Sequence, residues 1–351
     1  MSKEQEMGRR GFVLGAPAVG GLMAAGIGAA GAAEPAAAPG ARPAPPRRPD
    51  QKITVAALRV PVIVPPNPEG LAAARTKNAD IMVEEIEKLM KGPGPKPQLI
   101  VFGVLALTSA NRAASGLPIS GVAVDLEAEP LQKSVYGPVV AACKRHNCYV
   151  STSTQEKSAK MPGKFFHTGF IMGPNGLVLR SPKTQAPSAP EMFYIRDVAE
   201  DYKKAFGPDS IMPVVKTPIG TLGCYVEGEA EVLEVSRNLA AKGADIIVHT
   251  SLEGDDIPWL AIKQAIGYQT HTFLVTGTSS RFIGPKPGEI LQREGSSTVI
   301  GPTGKVLAQK GGKEEGAAVA EINLADIDDA KAKYSRTTTP AWNLYTDLYK
   351  R

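Results

Sequence analysis

The 351-residue sequence predicts an α/β sandwich with mixed β-sheets. Short, uniformly apolar runs alternate with longer amphipathic ones in both halves of the chain, the pattern of strand–helix–strand units. Tight-turn signals such as Gly173-Pro174-Asn175-Gly176 interrupt that alternation and call for antiparallel hairpins among the same strands. With 43% hydrophobic and 21% charged residues, the chain can bury a sizeable core, which excludes a disordered polymer or a disulfide-stapled miniprotein. The net charge of +5, from 40 basic and 35 acidic residues, is mild and dispersed, so no nucleic-acid partner is expected. Cys143, Cys148 and Cys224 form an odd set with neither zinc-type nor CxxC spacing. No metal and no cofactor are expected.

Residues 1–33 read as an export signal. A polar head precedes Gly8-Arg9-Arg10-Gly11-Phe12-Val13-Leu14, and an Ala/Gly-rich run then ends in Gly31-Ala32-Ala33, the small side chains that a signal peptidase needs. Adjacent arginines with Phe12 two places on resemble the twin-arginine signal, with Gly8 where Ser or Thr is usual; the alternative is an ordinary secretory peptide whose arginines are its positive end. The expected location is periplasmic or otherwise extracytoplasmic. Residues 34–50 are a Pro/Ala-rich linker, expected to be extended and solvated. Beyond it no segment has the ~18 continuous apolar residues of a membrane span. The globular domain is expected over 51–335, and a C-terminal tail over 336–351.

Within the domain, 52–58 (KITVAAL) reads as the first strand and 70–91 as a helix with an irregular apolar face. The run 99–104 (LIVFGV) is too short and too uniformly apolar for anything but a buried strand. A helix near 131–145 leads to a strand at 148–154, and 166–172 with 177–179 flank the hairpin turn. The second half repeats the style, with a strand at 221–226, a helix at 229–242, a strand at 245–248 and a helix at 255–268. That last helix opens with two acidic residues and has Pro258 in its first turn. Strands follow at 272–276, 297–300, 305–308 and 317–322.

Several segments then recur in one order and spacing. The run from Glu234-Val235-Ser236-Arg237 to Gly243-Ala244-Asp245 resembles the stretch after the nucleophile of the carbon–nitrogen hydrolase (nitrilase) superfamily. Gly163-Lys164-Phe165-Phe166-His167-Thr168 with the following turn resembles its central hairpin, with His167 where Asn is usual. Gly295-Ser296-Ser297 and Gly301-Pro302-Thr303-Gly304-Lys305-Val306-Leu307 resemble its last hairpin. The resemblance runs from Lys52 to about Leu324. It implies a four-layer-forming α-β-β-α sandwich with two mixed β-sheets, and hydrolysis of an amide, nitrile or carbamoyl group by a Glu–Lys–Cys triad. It also implies a homodimer or higher homo-oligomer that pairs through the helices at 229–242 and 255–268. Trp259, Ile262 and Ile266 lie on one side of the second helix, as core or as interface.

Thiolate attack on carbon requires a cysteine at a strand-to-helix turn, a carboxylate to carry protons and a lysine to steady the oxyanion. The family's Pro-Glu after the strand LIVF is here Gly103-Val104, and valine carries no proton. The lysine position matches Lys183, with one residue deleted from the family's Tyr-Arg-Lys. Aligned without gaps from either flank, the nucleophile position falls on Glu227. Placing it on Cys224 instead, with Cys224-Tyr225 as the family's Cys-Tyr or Cys-Trp, requires three inserted residues before Arg237. Positions 224 and 227 differ by an odd number and so face opposite sides of a strand. Glu156 matches a second glutamate that many members place beside the lysine. Glu229 and Glu231 open the next helix, where negative charge suits the dipole in any case. His249 and Glu253 read as part of a pocket wall or as a satisfied surface pair.

The expectation is therefore an exported family member with a broken triad, binding an amide- or nitrile-like small molecule or a partner around Lys183, Glu227 and Glu156. The alternative is an active amidase- or nitrilase-type hydrolase using Cys224 or a Glu227/Lys183 pair.

Overall fold

The computed structural model describes residues 46–108, 117–185, 192–253, 258–284, 286, 288–292, 295–312 and 314–334. The expected signal, most of the linker and the tail at 336–351 lie outside them. No helix among the described residues is long and apolar enough to cross a membrane. The last linker residues are mostly exposed but anchored to the domain by their arginines. Arg48 donates to Asp328 and Asp245 at 2.9 and 2.6 Å, and Arg47 to Asp329 at 2.8 Å.

Thirteen strands form one hydrogen-bonded network with the order β5-β4-β3-β2-β1-β9-β8-β7-β6 along its main path. They are β1 (Lys52–Ile63), β2 (Leu99–Val101), β3 (Tyr149–Lys157), β4 (Phe165–Gly173), β5 (Gly176–Pro182), β6 (Val214–Thr217), β7 (Gly220–Val226), β8 (Ile246–Ser251), β9 (Phe273–Ile283), β10 (Ile290–Gln292), β11 (Ser297–Ile300), β12 (Val306–Lys310) and β13 (Gly316–Asn323). Parallel and antiparallel ladders mix, as the combination of crossovers and hairpins requires. The two expected sheets are joined by β1. Its Val55–Ala57 stretch pairs with β2, while the chain from Arg59 onward pairs with β9 across a register shift. This double duty explains why β1 runs five residues past its sequence-predicted end.

The helices are α1 (Leu71–Lys91), α2 (Ile119–Val122), α3 (Gly137–His146), α4 (Ile195–Phe206), α5 (Leu233–Ala241), α6 (Trp259–Thr270) and α7 (Asp326–Tyr334). Helices α1 and α3 cover the half of the sheet made by β1–β4, burying Ala79, Met82, Ile86, Val139 and Val140 against Ile100, Phe102, Val150 and Phe170. Each such aliphatic side chain contributes about 1.5–3 kcal/mol by leaving water. Helices α5 and α6 cover β7–β9, with Val235, Leu239, Trp259 and Ile266 packed on Tyr225, Ile247 and Leu274. Trp259 and Ile266 are thus core residues. Between the two halves lies a third apolar layer containing Val55, Val101, Ile171, Leu179, Leu222, Cys224, Val248 and Val275. Those layers make the α-β-β-α sandwich.

Sequence periodicity missed α2, α4, α7, β6 and β10. Helix α4 has a kink at Val198, whose φ of −138° is not helical, and it buries only Ile195 and Tyr202 fully. The expected helix at 229–242 is divided into a 3-10 turn, Glu227–Glu231, and α5. Pro258 caps α6 instead of entering it; the two acidic residues before it lie outside the described residues.

Side-chain alternation sets what each face of β3, β4 and β7 presents. On β4, Phe170 and Met172 face the helices, whereas Ile171 faces the inner layer, as does Gly169. A Cβ on Gly169 would lie 2.6 Å from Cys224 Sγ and 3.0 Å from Val226 Cγ1, so β4 and β7 touch where residue 169 has no side chain. Gly169→Ala should destabilise the protein by about 1–3 kcal/mol through overpacking. Cys224→Ala should recover much of that loss in the double variant, although alone it only opens space. Urea denaturation of the four-member cycle measures this coupling, and strictly additive losses would contradict the contact.

Candidate functional site

The site forms where β7 ends. Tyr225 faces α5 and α6 and Cys224 faces the inner layer, and the next side chain in line is redirected by the backbone. Glu227 has φ +48°, a left-handed conformation that costs a non-glycine residue about 1–2 kcal/mol. The turn is held from two sides. His249 on β8 donates from Nε2 to the Glu227 carbonyl at 3.0 Å. The buried Glu229 carboxylate accepts from Thr184 N and Oγ1 at 2.7 and 2.6 Å and from Val226 N at 3.2 Å. Glu229 is therefore a bracket between the 3-10 turn and the end of β5, which goes beyond a favourable charge at a helix start. Burial, with Lys263 nearby, pushes His249 down to about 3, so it remains a neutral donor.

The Glu227 side chain meets Lys183, just beyond β5. Lys183 Nζ donates to Glu227 Oε2 at 2.8 Å, with the lysine side chain 2% exposed and the glutamate 25%. His167 on β4 brings Nδ1 to 3.4 Å from the same oxygen. Its Nε2 lies 2.9 Å from Ser153 Oγ, which in turn accepts from the Leu105 N–H at 3.0 Å. The Ser153 hydroxyl, which accepts from Leu105, still has a proton to donate, and when it donates to Nε2 the Nδ1–H points at Glu227. Burial pushes the Glu227 carboxyl up, but His167 and then Lys183 outweigh that and hold it well below the usual carboxylate range. Among the described residues Glu227 Oε1 accepts no hydrogen bond, and Lys183 Nζ donates only to Glu227. Glu227 thus presents one carboxylate oxygen that no described residue engages, beside the buried Lys183 ammonium. Gln155, opposite His167 in register and on the same face of β3 as Ser153, adds a buried carbonyl oxygen without a partner.

Glu156 does not join them. It faces the other side of β3, where it accepts from Thr168 Oγ1 at 2.6 Å and Arg180 Nη1 at 2.8 Å, and burial pushes its carboxyl up. Strand alternation puts Glu156 on the opposite face of β3 from Ser153 and Gln155, whereas Glu227 reaches the inward-facing group only through its left-handed turn. Cys224 also stays away. It is 1% exposed, and burial pushes its thiol up to about 12. Val104 is fully buried, its amide donating to Ser251 O at 3.2 Å. Glu253 is paired with Lys263 at 2.8 Å, both buried, and makes no contact with Lys183. Sequence reasoning flagged His167 only as a departure and passed over Ser153. Their alternation with Phe166, Phe170 and Thr152 was the available signal.

The carbon–nitrogen hydrolase family profile matches residues 55–332. The chain belongs to that family. It is 32% identical over 153 residues to a probable nitrilase of Schizosaccharomyces pombe, covering 42% of this chain and 53% of that one. It is 26% identical over 140 residues to Nitrilase 1 of Arabidopsis thaliana, covering 36% and 40%. The chain spans about half the length of the curated relatives it matches. Among solved structures, the fold is shared with Saccharomyces cerevisiae Nit3 (TM-score 0.63, 17% identity, 82% of this chain and 96% of that one). It is shared also with an amidase from Nesterenkonia sp. AN1 (TM-score 0.55, 18% identity, 81% and 95%), solved with the acetamide moiety of fluoroacetamide added covalently at its active-site cysteine. At these identities the likeness is one of fold.

Glu227→Gln should cost about 2–3 kcal/mol, below the ~3–5 of a fully buried broken pair because the glutamate is partly solvated. A depressed carboxyl stabilises the fold above the unfolded-state value near ~4.3 and loses that contribution as the pH falls through the folded-state value. Wild-type stability should therefore decline below about pH 4.3 more steeply than that of Glu227→Gln. Denaturation midpoints measured from pH 7 to 2 check this, and parallel profiles would contradict it.

Proposed function

We propose that this protein is an exported carbon–nitrogen hydrolase family member that binds a small carboxamide-like ligand without cleaving it through a thioester. The observation that supports this reading is the exchange at the turn after β7. The position from which a thiol would attack carries a carboxylate already paired with Lys183 and His167, while Cys224 is enclosed between β4 and β7. Without a carboxylate at Val104, no group there returns a proton to a departing amine. What remains is a donor beside an acceptor, Lys183 Nζ and Glu227 Oε1, which matches the carbonyl and NH₂ of a carboxamide.

A second reading has its own observation. A strained left-handed turn at a functional site is a common way to present a reacting group, and Glu227 keeps one oxygen free. In that reading Glu227 and Lys183 act as an acid–base pair in a hydrolysis that does not use Cys224.

Acetamide and fluoroacetamide discriminate among these readings. Binding without turnover predicts a saturable upward shift of the melting temperature with acetamide, no ammonia release, and unchanged intact mass with fluoroacetamide. The shift should vanish in Lys183→Met. Ammonia release that persists in Cys224→Ala but not in Glu227→Gln would establish the acid–base reading instead. A covalent adduct on Cys224 would overturn both. For export, Arg9→Lys with Arg10→Lys should leave the precursor in the cytoplasm if the signal is of the twin-arginine type; unchanged export would point to the general secretory route.

A further inference from the structure

Two of the three cysteines occupy a specific place in the fold. Helix α3 ends with Asn147 in the left-handed conformation, φ +48° and ψ +51°. The Asn147 N–H turns back to the Cys143 carbonyl, and the Cys148 N–H donates to the same carbonyl at 3.1 Å. A bond from the second residue past the helix to the third from its end is the closure of a Schellman motif, and the two residues it joins are those whose side chains meet across the turn. Usually that contact is between two hydrophobes. Here both are cysteines, both fully buried in the cluster under α1 and α3, and each thiol alters the other's protonation. The Cys143 S–H directed at Cys148 raises Cys143 and lowers Cys148.

We propose that Cys143 and Cys148 are a modification site that closes to a disulfide when the chain folds in an oxidising compartment, stapling the end of α3 to the start of β3. Strand β3 begins at Tyr149 and carries Ser153 and Gln155 to the cleft, so the staple fixes the root of the strand that supports His167. The oxidant is a disulfide of the thiol–disulfide exchange class. The Cys148 thiolate attacks one of its sulfurs, its S–S bond breaks and one thiol departs. Cys143 then attacks the mixed disulfide, forming the Cys143–Cys148 bond and releasing the second thiol. Two protein protons pass to the two released thiolates. The pairing also accounts for the odd cysteine count, because Cys224, enclosed behind Gly169, is left over as a free thiol. The oxidising environment rests on the export reading; the geometry does not.

The full chain refolded from denaturant in oxidised glutathione, then denatured again without reductant, should titrate one thiol of its three cysteines. Its intact mass should be about 2 Da below that of the reduced chain, and peptide mapping should join 143 to 148. The oxidised form should melt above the reduced form, whereas Cys143→Ser with Cys148→Ser should melt alike with and without reductant. Three titrating thiols, a link that includes Cys224, or equal melting of the oxidised and reduced wild type would overturn the proposal. The same titration on chain recovered from its native host separates the two premises. One thiol in the extracytoplasmic fraction supports both. Three thiols in chain found only in the cytoplasm, with one after oxidative refolding, supports the staple and removes export.

Discussion

The left-handed turn at Glu227 is the constraint on which the site depends. A non-glycine residue at φ +48° is held only if its surroundings oppose the strain, and here three separate elements do so. His249 from β8 holds the carbonyl, Glu229 holds the preceding amide, and Lys183 from the end of β5 holds the side chain. One restraint comes from β8, one from just beyond β5, and one from Glu229 in the turn itself, which is tied in turn to Thr184 beyond β5. The turn is therefore stable only in the assembled fold, and it in turn fixes where the two halves of the sheet meet at the cleft. Had residue 227 kept an extended backbone, its side chain would have followed Tyr225 toward α5 and α6 and never met Lys183.

The cleft and the rest of the inner layer obey one rule of parity. Odd-numbered residues of β3 and β4 turn inward and even-numbered ones turn to the helices. Ser153, Gln155 and His167 therefore converge on Glu227, while Glu156 and Thr168 form a second polar cluster with Arg180 on the other face. The two clusters share strands but no side chain. Burial treats them differently as well. Glu156 has burial opposed by Arg180 and is still raised, whereas Glu227 has a lysine and a histidine on one oxygen and is lowered. The sign follows from how many charge-stabilising neighbours each carboxylate has against the water it has lost.

The sandwich was legible because β1, β2, β8 and β9 are buried on both sides, and such strands appear as continuous apolar runs. Helix α4 was not, because it is kinked and only partly buried, and β6 is an edge strand of four residues. At the site, gap-free alignment from both flanks placed a glutamate at the turn, and the structure brings its carboxylate to Lys183. The same sequence comparison placed Glu156 beside that lysine, which strand parity forbids. Ser153 and His167 went unnoticed as a pair because they are fourteen residues apart on antiparallel strands. Only the register, with Gln155 opposite His167, brings them into contact.

Family membership and chemistry separate at this point. The family match spans residues 55–332, which include nearly all of the sandwich. Under the proposed binding reading, the three triad places are Val104, Lys183 and Glu227, of which only the lysine matches the family's residue. A lysine buried to 2% exposure cannot remain charged without an anion, and in this fold the nearest place to supply one is the residue at the turn. The Glu227 carboxylate supplies that counter-charge, with Oε2 2.8 Å from Nζ. Glu227 thus holds Lys183 in place, while Val104 packs fully buried just beyond β2. A cleft shaped in this way is tuned for holding charge in place more than for moving it.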